Sequence, residues 1–212
     1  MILEVEAGSG VVRLDPDGLA ALGRAHAGAD SVPEGAAAEA LAVPGIPEAL
    51  AAVAAPLATA ELVVASGALV TTSRAWLARG AGALLLAVHG EVAQLLPVAP
   101  AAFPAAVARV VRLGPRRTRR VPTPVEEAVL DDLAHADDLR RSSAYSELGA
   151  DWSWVLDVRW QGGSRQLAAV DGSAGLALVE ATPGSASLRP ATATEVWRLL
   201  TRVLPDDEEL SD

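Results

Sequence analysis

No cysteine occurs anywhere in the 212-residue chain, so disulfide bonds, thiolate metal sites and cysteine nucleophiles are excluded together. Lysine is absent too, and arginine supplies all 17 basic residues, which removes Schiff-base chemistry and the lysine that a phosphate-binding loop requires. Asparagine is also missing, while Ala, Val, Leu and Gly abound. This reads as the codon bias of a GC-rich genome, so the alanine runs carry little structural information. Positive charge is in short supply. Against 27 acidic residues the formal net charge is -10, which argues against DNA, RNA or an anionic membrane surface as the main partner.

Long apolar runs are lacking as well. The stretch from Ala36 to Ala60 is interrupted by Pro44, Pro47, Glu48 and Pro56, and the run from Ala81 to Val88 falls far short of the ~20 residues of a spanning helix. The opening residues Met1-Ile2-Leu3-Glu4-Val5-Glu6 put acids where a secretory signal needs a positive region followed by an apolar one. The expectation is a cytoplasmic protein. Its 51% hydrophobic content is ample for a core.

The pattern of what is present predicts an α+β protein. Residues 2–6 and 11–14 read as short paired strands around Gly8-Ser9-Gly10. Asp15 and Pro16 then open a helix, with Leu19, Leu22 and His26 along one face. A loop rich in Gly and Pro follows, and residues 47–54 suggest a second helix. Residues 61–66, 69–78, 83–89 and 92–98 are strand-length apolar runs punctuated by glycines, and a helix over about 101–113 follows. Thr123-Pro124-Val125-Glu126 has the form of a capping box, from which a helix is expected to run to about Arg141. Strands at 154–160, 166–171, 176–181 and 185–189 and an amphipathic helix over 192–204, capped by Thr192 and Glu195, complete the chain before an acidic tail expected to be disordered.

Residues 60–113 and 153–204 thus both read as four strands followed by one helix. The expected architecture is a single domain spanning 1–212, with antiparallel sheets in a pseudo-two-fold repeat of a four-strand-plus-helix unit. A helical connector occupies about 121–150, and the helices pack on one side.

Catalytic constellations are absent from the pattern. The three histidines, His26, His89 and His135, belong to no recognisable site, and helix-end or turn positions account for the first two. Asp131, His135 and Asp138 would share a helix face at intervals of four and three, a spacing that could present a nitrogen and two carboxylates to a metal, although acidic helix faces are usually solvated. Gly162-Gly163-Ser164 has Gln166 two positions after the serine, where a nucleophile elbow needs glycine, so it reads as a turn. Neither an enzyme nor a cofactor is expected. Arg116, Arg117, Arg119 and Arg120 form one basic cluster, either a docking site for an acidic partner or a solvated linker balancing nearby carboxylates. Trp152, Trp154 and Trp160 share parity on one strand and are expected to form a core stripe beneath Trp197.

The doubled sheet-plus-helix plan, the acidic composition and the run Leu167-Ala168-Ala169-Val170-Asp171-Gly172-Ser173-Ala174-Gly175 before the final strands and helix resemble the EspG family, cytosolic chaperones of actinobacterial type VII (ESX) secretion. The chain departs from the family at Leu176, where a polar or aromatic residue is common, and in being shorter than typical members. The resemblance implies a protein that binds a helical export substrate, PE-PPE-like or another small helical protein, and keeps it soluble without catalysis or cofactor. Two other readings stay open: a small-molecule-binding or enzymatic α+β domain with a pocket between the halves, using His89 or Asp171, and a homodimeric scaffold.

Overall fold

The computed structural model describes residues 1–6, 9–29, 34–182, 185–206 and 209. The chain divides into two compact units, residues 1–60 with 73–103, and residues 61–72 with 104–212. The third and fourth strands, β3 (Ala58–Ala65) and β4 (Val70–Leu77), each contribute residues to both.

In the first unit, β1 (Leu3–Val5) pairs antiparallel with β2 (Val12–Leu14). The helix α1 (Pro16–His26) starts where expected: the Asp15 carboxylate accepts from the Gly18 N–H at 2.7 Å, and Pro16 fills a position whose N–H would have no helical partner. Next come α2 (Ala36–Leu41), which falls where a loop was expected, and α3 (Ile46–Ala54). Gly45 precedes α3 at φ 86, and a Cβ there would lie 2.9 Å from Pro97 Cβ, so this tight entry requires glycine. The strands β5 (Gly82–His89) and β6 (Val92–Pro97) complete the order β1-β2-β6-β5-β4. Val12, Leu14, Leu22, Ile46, Leu50 and Leu95 form the core, with Trp76 and Leu85 packed against it. Burial of each such leucine or isoleucine contributes about 1.5–3 kcal/mol.

The helix α4 (Phe103–Val110) leads into the second unit and buries Phe103 and Val107 at the expected spacing. The single helix expected from Pro124 to Arg141 does not form. Residues Thr123–Val125 are a strand, β7, at the edge of the sheet order, pairing with residues 186–188. An edge strand tolerates Pro124, and the ladder to its one neighbour gives the Thr123-Pro124-Val125 backbone a different use from helix capping. Two short helices follow, α5 (Glu127–Asp132) and α6 (Asp138–Leu148). The break is set by Asp137, whose carboxylate accepts from the N–H groups of Leu139 and Arg140 and caps a new helix.

The last third follows the expected order: β8 (Trp152–Trp160), β9 (Gly163–Asp171), β10 (Ala177–Thr182), β11 (Ser185–Pro190) and α7 (Ala193–Leu200), the last capped by Thr192 on the Glu195 N–H at 3.1 Å. The β8–β9 hairpin is in continuous register from Trp152 opposite Asp171 to Trp160 opposite Gly163. On one face of this sheet Val170, Ala177 and Leu188 pack with Leu133, Ala144, Tyr145 and Leu148 of the α5–α6 segment. On the other, Trp154, Leu156 and Val158 are buried as well. Within the second unit the hydrogen-bonded order is β3-β8-β9-β10-β11-β7, and the ladders β8–β9, β9–β10, β10–β11 and β11–β7 are antiparallel, as expected. Asp206 and Glu209, in the tail expected to be disordered, exchange hydrogen bonds, each carboxylate accepting from the other's N–H at 3.0 Å.

Candidate protein-binding groove

Strand parity decides which side chains of the second unit reach the face that carries α5 and α6. Ser153 stands opposite Val170 and Val155 opposite Ala168. Side chains paired across a ladder project to the same face. Val63 and Ala65 of β3 and Val179 and Ala181 of β10 line the same concavity. The six residues of α5 span only about 9 Å, whereas the nine residues of β8 extend for about 30 Å, so the helix roofs only a fraction of the strands beneath it. The rest is an open groove of about 330 Å³. Its floor is mostly valine and alanine, half-buried at Val63, Val155, Ala168 and Val179. Glu127 and Asp131 of α5 stand on its rim.

The polar groups near the floor are already engaged. The Ser153 hydroxyl and the Tyr145 phenol lie 2.5 Å apart, both buried, and burial pushes the Tyr145 phenol above its ordinary pKa, so it stays protonated and acts as a hydrogen-bonding partner. No histidine lines this groove. Its chemistry is that of a shallow apolar seat bordered by carboxylates, suited to an apolar surface with basic flanks.

The arginine cluster lies elsewhere in the unit and is largely tied to its own chain. Arg116 Nε donates to Asp171 Oδ2 at 2.8 Å, and Arg119 Nη2 donates to the Leu148 carbonyl at 2.9 Å. The backbone of Arg117 and Arg119 brackets Leu176: Leu176 N–H donates to the Arg117 carbonyl at 2.7 Å and Arg119 N–H to the Leu176 carbonyl at 3.2 Å. Side chains of Arg117 and Arg120 are exposed. The run from Asp171 to Gly175 makes this threading possible. At Gly175, φ is +100 and a Cβ would stand 2.6 Å from the Arg119 nitrogen, while a Cβ on Gly172 would stand 2.6 Å from Ala150 Cα.

The remaining candidates are dispersed. Asp131 ends up in α5, His135 in the turn and Asp138 at the start of α6, because the helix that would have aligned them is broken. His135 Nδ1 accepts from the Asp137 N–H at 3.0 Å, and its Nε2 lies 3.2 Å from Arg140 Nη1. No cluster of three or more metal-ligating side chains occurs among the described residues. His26 is exposed at the end of α1, and the side chain of His89 lies outside the described residues. Trp154 is core, but Trp152 and Trp160 are only half-buried and Trp197 is 39% exposed, so the stripe does not close beneath Trp197 as expected. Sequence reading missed the groove floor. The signal for it was available in β10, where Ala177-Leu178-Val179 is apolar on both faces of a strand.

Fold and groove together define a mixed α+β scaffold with an antiparallel sheet and a partly uncovered apolar face. No protein-family model matches the sequence, and no curated protein matches it. The fold is similar to that of a solved structure, "Structure of the Mycobacterium tuberculosis type VII secretion system chaperone EspG5 in complex with PE25-PPE41 dimer", with a TM-score of 0.55 at 15% identity over 92% of this chain and 97% of the matched one. At that identity the likeness is one of fold. Among the described residues no helix is long and apolar enough to cross a membrane.

Proposed function

We propose that this protein is a cytoplasmic, EspG-like chaperone of type VII secretion that seats a helical export substrate in the groove beside α5, by binding and without catalysis. The observation that carries the reading is the open apolar floor of Val63, Val155, Ala168 and Val179 under an acidic rim. An amphipathic helix with an apolar face and basic flanks matches it in chemistry, because the floor gains from apolar burial and Glu127 and Asp131 favour cations. The fold likeness to a chaperone solved with a PE25-PPE41 dimer supports a PE-PPE-like or other small helical partner. The repetition of four strands and a helix in β3–β6 with α4 and in β8–β11 with α7 supports an internal duplication over about 60–113 and 153–204.

Co-expression with small helical proteins encoded near its gene, followed by size-exclusion chromatography, tests the reading. A stable complex is expected, and Ala168→Arg, which places a charge on the half-buried floor, should weaken it at least about tenfold. A complex that forms equally well with Ala168→Arg would refute the groove as the seat, and no complex with any such protein would refute the chaperone function.

A further inference from the structure

A second concavity in the same unit, of about 400 Å³, lies at the C-terminal end of α4 and is lined by Val111, Arg112, Arg116, Asp151, Trp152 and Asp171 with the adjoining turn. The end of α4 closes as a Schellman motif: Arg112 N–H donates to the Arg109 carbonyl at 3.1 Å and Leu113 N–H to the Ala108 carbonyl at 2.8 Å. The left-handed position in that motif usually belongs to glycine, yet here Arg112 occupies it at φ 53, the one non-glycine residue with positive φ among those described. Holding an L-residue there costs about 1–2 kcal/mol. Its guanidinium lies 5.2 Å from the centroid of the Trp152 ring and makes no salt bridge among the described residues. The buried Trp152 indole N–H has no acceptor among the described residues. Arg116 is satisfied by Asp171, whereas the exposed Asp151 carboxylate has no partner among the described residues.

We propose that this cavity is a binding site for an α-carboxylate carrying an N–H or ammonium donor on the next carbon, the chemistry of a free amino acid or of the C-terminal residue of a peptide. Arg112 takes the carboxylate over the tryptophan face, and Asp151 accepts from the ligand N–H. The two aspartates weigh against a dianionic phosphate, because Arg116 is already neutralised and only one guanidinium remains to meet the anion. The site uses none of the groove residues, so it stands independently of the chaperone reading.

Isothermal titration calorimetry of the intact protein with free alanine, Ala-Ala-Ala and Ala-Ala-Ala-amide tests it. Saturable binding of at least one of the two free carboxylates is expected, with the amide at least about tenfold weaker than its parent peptide. Tighter binding of the tripeptide than of alanine would assign the source as a peptide terminus, and the reverse a free amino acid. Arg112→Gly should weaken binding at least about tenfold while leaving the melting temperature unchanged or higher, since glycine relieves the left-handed position. Trp152→Ala, which removes the ring face that holds the Arg112 guanidinium, should weaken it to a lesser degree. No saturable binding of either carboxylate, an amide that binds as well as the acid, or full affinity in Arg112→Gly would overturn the proposal.

Discussion

Arg141 shows how far a single residue can depart from what its neighbours in sequence suggest. It falls within a helical run with Arg140 and reads as the basic end of a long helix, yet it is 3% exposed in the first turns of α6. Its Nε donates to the Ser66 carbonyl at 3.0 Å, Nη1 to the His135 carbonyl at 2.6 Å and Nη2 to Asp138 Oδ1 at 2.6 Å, so one guanidinium ties the β3–β4 turn to the α5–α6 turn. Arg141→Met should destabilise by about 2–4 kcal/mol, because carbonyls in two turns lose their donor at once; urea denaturation will show it as a lower midpoint. Glycines divide by the same logic. Gly175→Ala would drive a Cβ into the backbone of Thr118 and Arg119 and should cost more than about 3 kcal/mol, whereas Gly80→Ala, at φ +76 in open space, should cost about 1–2 kcal/mol. Equal losses at the two sites would show that the passage of residues 117–119 past Gly175 is not tightly held.

Among the elements, those with local signals were legible. The caps at Asp15 and Thr192 appear in the sequence as the side chains that later meet the N–H groups of Gly18 and Glu195. Thr192→Ala should cost about 1 kcal/mol, measurable as a shift in the denaturation midpoint. Asp15 and Asp137 carry a pH signature. Hydrogen bonds from the backbone at Ile2 and Gly18 hold the Asp15 carboxyl below its usual pKa, and bonds from the Arg140 and Leu139 N–H groups do the same for Asp137. In the unfolded chain both groups take up protons near pH ~4 while the folded protein keeps them ionised. Their stabilisation is therefore complete above that pH and declines as the pH falls through the lower folded values. Asp15→Asn with Asp137→Asn keeps capping side chains but removes the titration, so the double variant should lose less stability between about pH 4 and pH 2 than the parent does. An unchanged acid limb would contradict this.

For the whole molecule, the groove predicts a thermodynamic signature as well as a partner. Seating an apolar helix on valine and alanine removes hydrocarbon from water, so the heat capacity change of complex formation should be negative, and calorimetry at several temperatures reads it directly. The acidic rim adds a salt-dependent part that Asp131→Asn should reduce while leaving most of the affinity in place. A heat capacity change near zero would point to a polar interface and away from the groove floor.

The sequence by itself determined the α+β composition, the run of strands on either side of the central helical segment, most helix starts and the class of chemistry open to a chain with neither cysteine nor lysine. These follow from local signals: periodicity, caps, turns and the presence or absence of a reactive group. Only tertiary structure decided that Thr123–Val125 would pair as an edge strand instead of starting a helix, and that Arg116 and Arg119 would be tied within the chain. It also decided that Val155 and Ala168 would be left half open. In each case the outcome rests on residues far apart in sequence, because a strand needs its neighbour, an arginine needs an acceptor, and a sheet face is covered only where a helix happens to reach.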